Sequence, residues 1–382
     1  MKITDLKTIV VGNPWKNWVF VKVITDEDVF GLGECTGGLD TMPAVSMVDE
    51  LRSRLIGRDP MQIGRLVEFI RKTLFLFRGG NAVAGIETAC WDIVGKVCGR
   101  PLYQLLGGKC REKVRVYANG WYQGPREPEM FAEKAAEMVA AGYTALKFDP
   151  FGTAYKFMPQ DEERRSIRIV RAVREAVGEN VDLMIEAHDR FSMSQAIRVG
   201  RMLEEFHPFW FETPVLSDNY DAVSEVARRV PVPVIAGERS TDPRYLAAFL
   251  AKGAVDLINP ELLSVGGVQG LLDCFAIARG FDAFVAPHNA QSPLCTAVNV
   301  HIGMTQPNLL IQECFDDSSA PWVDDVLSGY PKVENGYIVP TDAPGIGVTL
   351  NEQEAFKHPY GDRNFLWMFE NGWEQRKGPG IS

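Results

Sequence analysis

The sequence predicts a parallel α/β barrel of about eight β/α units joined to an α+β domain. Three observations carry that expectation. Strand-like runs alternate with amphipathic helical stretches between residues 114 and 312, whereas residues 1–105 run strands first and helices after. Three of the later strand-like runs end in glutamate, at Glu186, Glu212 and Glu238. Their spacing is constant, 212−186=26 and 238−212=26, about one strand-plus-helix unit.

The opening runs Thr8–Val11, Val19–Val23 and Val29–Glu34 alternate as a β-meander, with Thr25-Asp26-Glu27-Asp28 as the polar turn between the last two. From 43 to 105 the period turns helical. Ala82 to Ile93 is apolar all round, as a buried helix is. Past Gly107-Gly108 the strand-like runs are 114–118, 145–149, 182–187, 209–212, 233–237, 256–259, 282–286 and 309–312. Eight such runs over about 200 residues match the scale of a (β/α)8 barrel. The Val232-Pro233 and Asn259-Pro260 steps fall at strand edges, where proline is tolerated. From about 320 the chain is irregular, too short for a further domain, and is expected to return to the first one. The expected division is therefore 1–112, 113–320 and 321–382.

Composition narrows the function classes. A net charge of −10 with no Lys/Arg-rich run argues against a nucleic-acid surface. No apolar run approaches the ~20 residues that span a bilayer, and the opening Met1-Lys2-Ile3-Thr4-Asp5 lacks the features of a signal peptide. The seven cysteines are scattered, without a CxxC pair, and read as reduced thiols of a cytoplasmic protein.

In a barrel of this kind the active site lies at the C-terminal ends of the strands. Collecting those ends gives Lys147 and Asp149, Glu186 and His188, Glu212, Glu238, Glu261, His288 and Glu313. Any one glutamate alone is most simply a solvated loop residue. Three that end consecutive strands at equal intervals are a ligand set, because crowded carboxylates resist ionisation unless a cation compensates them. All-oxygen ligands with open positions suit a hard cation, Mg²⁺ in the first instance. If residues 182–187 form a strand, Glu186 and His188 share a face. His188 and His288 are matched to proton transfer near neutral pH. His207, His301 and His358 read as surface or capped residues. Glu261 is either an exposed loop residue or the partner that holds His288 in one tautomer. A cation, two histidines and a carboxylate partner suggest abstraction of a proton α to a carboxylate, with the enediolate stabilised by the metal.

The chain resembles the enolase superfamily, in its mandelate racemase subgroup, and within it the acid-sugar dehydratases. The likeness rests on Met1-Lys2-Ile3-Thr4, Phe77-Arg78-Gly79-Gly80, Trp91-Asp92-Ile93, Tyr103-Gln104-Leu105-Leu106-Gly107-Gly108, Ala236-Gly237-Glu238-Arg239, Val265-Gly266-Gly267 and Ala286-Pro287-His288. It implies a modified TIM barrel, (β/α)7β-like, under an α+β capping domain completed by the C-terminal segment. It implies Glu186, Glu212 and Glu238 as ligands of one Mg²⁺, His288 with Glu261 as the base, and His188 as the acid that expels a β-hydroxyl. Glu313 would meet the substrate carboxylate, with Lys147 and Asp149 also at the substrate. From the cap, Trp15 in the loop Pro14–Trp18, Thr36-Gly37 and Arg78 are candidates, although packing within the cap is the ordinary role for the loop tryptophans.

This sequence departs from the family pattern in three places. Glu186 and Glu261 stand where aspartate is usual, and Lys147-Phe148-Asp149 replaces the Lys-x-Lys of the racemases. Loss of the second lysine favours dehydration through the two histidines over racemisation. The expected activity is dehydration of an aldonate-type sugar acid to a 2-keto-3-deoxy product, in a homo-oligomer. The alternatives are epimerisation or lactone cycloisomerisation through the same intermediate, and a metal-binding relative without turnover.

Overall fold

The structure is a computed structural model that describes residues 1–37, 41–74, 80–316 and 320–375. The first domain opens with an antiparallel sheet of β1 (Ile3–Asn13), β2 (Lys16–Thr25) and β3 (Phe30–Glu34), in that order. β1 and β2 outrun the predicted segments at both ends, whereas β3 matches its segment to within one residue. Asn13 pairs with Lys16, so the hairpin turns on Pro14-Trp15 alone and residues 16–18 belong to β2 rather than to a loop. Helices α1 (Thr41–Leu55), α2 (Ile63–Thr73) and α3 (Gly80–Cys98) pack on one face of this sheet, and α4 (Leu102–Leu105) follows. Their core joins Val19, Val21 and Val23 of β2 to Val48, Leu51, Ile70 and Ile86 of the helices. The all-round apolar pattern of α3 is explained by its near-complete burial.

Eight parallel strands then alternate with helices. The strands are β4 (Val114–Ala118), β5 (Ala145–Phe148), β6 (Asp182–Glu186), β7 (Trp210–Glu212), β8 (Val234–Ile235), β9 (Leu257–Ile258), β10 (Phe284–Val285) and β11 (Gln312–Cys314). Between them lie α5 (Pro128–Ala140), α6 (Gln160–Val177), α7 (Met193–Met202), α8 (Tyr220–Arg229), α9 (Pro243–Leu250), α10 (Val268–Gly280) and α11 (Pro293–Thr305). The strand order is β11-β4-β5-β6-β7-β8, with β9 and β10 paired separately. Single parallel bridges, Ala236 to Ile258 and Val285 to Leu309, stand at the two remaining joins.

A separate apolar cluster explains where the polar strand ends go. It collects Tyr117, Ala145, Met184, Trp210, Ile235, Ala286 and Ile311, each from or beside a different strand. Side chains two residues apart on a strand share a face. Asn119, Lys147, Glu186, Glu212, His288 and Glu313 each follow one of these inward residues by two, so the strand period stacks a polar layer on the apolar one. Intervening residues such as Leu146, Leu183, Ile185 and Phe211 join the larger core under the helices.

Two buried carboxylates of the first domain grip the starts of later helices. Glu87 on α3 accepts the Val268 and Gln269 N–H groups at 2.8 and 3.1 Å, at the N-terminus of α10. Glu34 at the end of β3 accepts the backbone N–H and the hydroxyl of Ser292, the N-cap of α11. A carboxylate is favoured at a helix start by the exposed N–H groups and the helix dipole. The loop that carries His288 is thereby tied to the first domain.

The C-terminal stretch also contacts that domain. Asp92 on α3 accepts Ile346 N–H at 2.9 Å, and Leu102 N–H donates to Gly345 O at 2.9 Å. A Cβ on Gly95 would lie 2.5 Å from the Gly345 Cα, so this crossing requires glycine. His301, expected as a surface or capped residue, is wholly buried in α11. Its Nε2 lies 3.1 Å from Ile346 O, and its ring stacks on Tyr103 at 5.8 Å. His358 stacks on Trp322 at 3.9 Å. All seven cysteines are free thiols, five of them buried. No helix among the described residues is long and apolar enough to cross a membrane.

Candidate active site

Glu186 and Glu212 are direct neighbours across β6 and β7, and Glu238 follows β8. All three are buried, and each offers an oxygen within 4.8 Å of the others. Like charges set side by side on adjacent strands repel. Part of the compensation comes from Lys147, whose buried Nζ lies 2.6 Å from Glu212, 2.9 Å from Glu313 and 3.3 Å from Glu186. Four carboxylates, counting Glu238, against one ammonium still leave 4−1=3 negative charges when all are ionised. Burial, followed by Glu186, pushes Glu212 well above the usual carboxylate range. Glu186 is also penalised by burial, but His188 and Lys147 draw it well below that range.

The donor set fits a hard divalent cation. All its candidate atoms are carboxylate oxygens, and Glu238 Oε2 is buried without a hydrogen-bond partner. The other two glutamates are oriented by protein donors. Glu212 accepts from Trp210 Nε1 at 2.7 Å and Asn259 Nδ2 at 2.9 Å; Glu186 accepts from His188 N at 2.7 Å and from the Thr213 hydroxyl. Such partners fix ligand geometry.

His188 reaches the site by a route other than strand alternation. β6 ends at Glu186, and His188 and Asp189 both adopt left-handed backbone, φ 48° and 59°. Non-glycine residues rarely sit there, and each costs roughly 1–3 kcal/mol. The turn folds His188 back over Glu186 and places Asp189 in a buried pocket, where Ser217 N–H donates to it at 2.8 Å and Arg239 pairs with it. Burial first, then Glu238, raises Asp189 to about 6, against the pull of Arg239.

Asp149, expected at the substrate, is wholly buried. One oxygen lies 2.6 Å from His188 Nδ1 and is paired with Arg190; the other accepts Phe151 N–H at 2.8 Å. It therefore reaches a substrate only through His188. Glu261 resolves the alternatives left by the sequence: it is partly buried, 3.2 Å from His288 Nδ1, and accepts from Gln291 Nε2. His288 Nε2 lies 3.5 Å from Glu238 and 3.7 Å from Glu313. Burial disfavours a charged His288, yet Glu313, Glu238 and Glu261 together raise it to about 10.

Glu313 is buried, accepting from Asn119 Nδ2 at 2.7 Å and Asn289 N at 2.8 Å. A cavity of about 190 Å³ opens over these groups, lined among others by Lys147, His188, Glu238, His288 and Trp15. Trp15 thus faces the site as well as packing on Phe315 at 5.5 Å. Arg78 lies outside the described residues. Sequence reading missed Arg190, buried against Asp149, and four residues that also line the cavity, Asn119 and the tail residues Phe365, Leu366 and Met368. Asn119 carried a signal, since it follows Tyr117 by two; the tail carried none.

The chain matches the N-terminal domain model of the mandelate racemase/muconate lactonizing enzymes over residues 7–107 and the enolase C-terminal domain-like model over 130–354. It belongs to this family of the enolase superfamily. Among characterised relatives it is 35% identical to a D-gluconate dehydratase of Thermoproteus tenax, over 94% of this chain and 74% of that protein. It is also 35% identical to a D-gluconate/D-galactonate dehydratase of Picrophilus torridus, over 95% and 94% of the two. A solved mandelate racemase/muconate lactonizing enzyme-like protein from Roseovarius sp. TM1035 superposes with a TM-score of 0.87 at 35% identity, covering 94% of this chain and 96% of that one. An enolase-superfamily member from Salmonella Typhimurium gives 0.87 at 31%, covering 94% and 98%.

Proposed function

We propose that this chain is a Mg²⁺-dependent dehydratase of a sugar acid, converting an aldonate-type substrate to a 2-keto-3-deoxy acid. The observation that carries the reading is the pair of histidine dyads, His188–Asp149 and His288–Glu261, whose histidines follow strands β6 and β10. Taking the two single bridges as closures of the sheet, the eight strands form a ring with β6 and β10 on opposite sides. This is the (β/α)7β barrel that the family implies, and we place its limits near residues 112 and 320.

A divalent cation held by Glu186, Glu212 and Glu238 supplies positive charge to the substrate carboxylate. His288 takes the α-proton, oriented by Glu261 at its Nδ1. His188 delivers a proton to the departing β-hydroxyl from the other side, with Asp149 holding its Nδ1. Lys147 and Asn119 keep Glu313 in place beside His288. The free thiols suit a reducing, cytoplasmic setting, and the family suggests a homo-oligomer.

The test is incubation of Mg²⁺-loaded protein in D₂O with a panel of sugar acids, following both keto-acid product and α-deuterium. Keto acid is the expected product. Deuterium exchange or isomerised acid without keto acid would replace dehydration with epimerisation or cycloisomerisation. Absence of both would leave a metal-binding relative.

A further inference from the structure

The loop that follows His288 meets the first domain at three successive residues. Lys16 Nζ, at the start of β2, donates to Ala290 O at 3.0 Å and to Gln291 Oε1 at 3.4 Å. Glu34 accepts the backbone N–H and the hydroxyl of Ser292. A cation holds one carbonyl of the loop and a carboxylate holds the N–H two residues on. Gln291, buried, is clamped between them.

The Gln291 amide has one orientation that fits. With Oε1 toward the Lys16 ammonium, Nε2 donates to Glu261 Oε1. Turned over, it would set donor on donor at Lys16 and acceptor on acceptor at Glu261. Lys16 therefore decides what Gln291 offers to Glu261. The other oxygen, Glu261 Oε2, lies 3.2 Å from His288 Nδ1, within ion-pair reach but not aligned as a hydrogen bond. Hydrogen bonds weaken steeply as their angle worsens, so rotation of this carboxylate governs how firmly the ring is held.

The sequence makes that rotation a problem. Glu261 stands where aspartate is usual, and its extra methylene adds a torsion between backbone and carboxylate. A freely turning side chain must be ordered at an entropic cost, which a second anchor on the carboxylate meets in advance. Burial would raise Glu261, yet His288 and then Lys16 draw it below the usual carboxylate range, so both ends of the relay favour its charged form.

We propose that Gln291 is a positioning residue for the proton-abstracting dyad, and that Lys16 of the first domain sets its orientation. The relay Lys16–Gln291–Glu261–His288 restrains the longer carboxylate, so that seating of the first domain completes the base. The proposal rests on the role of His288 in the dehydratase reading and adds what holds that base in place.

The experiment follows α-proton exchange of a sugar acid in D₂O by NMR over a range of acid concentrations, so that kcat and KM of exchange are read separately. Gln291→Leu is expected to lower kcat ~10- to 100-fold with KM held within ~3-fold. Lys16→Met is expected to lower kcat by up to ~10-fold, and Lys16→Arg to recover most of that loss. Glu261→Asp draws the carboxylate back from Gln291. In that background Gln291→Leu is expected to cost less than ~3-fold, because the two residues no longer act on each other. An unchanged kcat in Gln291→Leu overturns the positioning role. So does an equal loss in both backgrounds, which would make Gln291 a packing residue of the loop. A Lys16→Met variant whose KM rises while kcat holds would make Lys16 a substrate contact and overturn the link to the first domain. Gln291→Asn, one methylene short of Glu261, serves the same comparison where Gln291→Leu fails to fold. Wild-type protein that exchanges none of the acids defeats the dehydratase reading and this proposal with it, a result distinct from an active wild type whose variants match it.

Discussion

His188 and His288 are the same side chain held in opposite electrostatic settings. His188 shares its carboxylate with a cation, since Asp149 is paired with buried Arg190 and its second oxygen is taken by Phe151 N–H. His288 faces Glu261, Glu238 and Glu313 together and is raised to about 10. One dyad orients a ring with its charge already balanced. The other concentrates negative charge around a ring, and a cation held by Glu238 and its neighbours would offset part of that charge. The neighbours differ from strand to strand, so two like side chains become chemically distinct.

The strongest way to break this comparison is His288→Asn, which is expected to lower both turnover and α-proton exchange by more than ~1,000-fold. Retained exchange, read by NMR in D₂O, would remove His288 as base. His188→Ala is expected to slow keto-acid formation ~100- to 1,000-fold while leaving exchange within a few fold; equal loss of the two rates would erase the division of labour. Asp149→Asn is expected to cost about 10- to 100-fold in dehydration, with exchange again spared, because His188 loses the acceptor that fixes its tautomer. Unchanged dehydration would show that the left-handed turn at His188 places the ring without this acceptor.

His301 sharpens the comparison from outside the site. It is more deeply buried than His288, its Nε2 partner is the Ile346 carbonyl, and burial pushes it down to about 4 from 6.5. A histidine whose folded value is depressed binds a proton in the unfolded chain first. Stability is therefore full above 6.5 and declines as pH falls toward 4. The decline amounts to at most ~3 kcal/mol at 1.36 kcal/mol per unit. Urea midpoints at pH 7 and pH 4.5 should converge in His301→Asn, with activity at neutral pH the least affected of these variants. An undiminished acid sensitivity would assign it to other groups.

Much of the site was legible because strand chemistry is local. Polar residues two positions beyond inward apolar ones, as in Met184/Glu186, Trp210/Glu212 and Ala286/His288, report their own facing through a period of two. The same rule misjudged Asp149 and His188. Asp149 has the parity of Lys147, but burial with Arg190 makes it a partner of His188 rather than a substrate contact. His188 enters the site through left-handed backbone that no alternation pattern encodes. His301 was misread because every residue of α11 is buried, leaving no polar face to mark its orientation.

By itself, then, the sequence determined that strands precede helices in the first part and alternate with them in the second, that three glutamates end or follow consecutive strands, and that two histidines lie beyond strand ends, since each follows from periodicity and spacing along one stretch of chain. Tertiary structure alone decided which carboxylate each histidine meets, that Lys147 sits among the glutamates, and that Phe365, Leu366 and Met368 reach the cavity. Those pairings join segments tens to hundreds of residues apart. Their energies depend on burial and on charges arriving from other strands, and no local pattern records either.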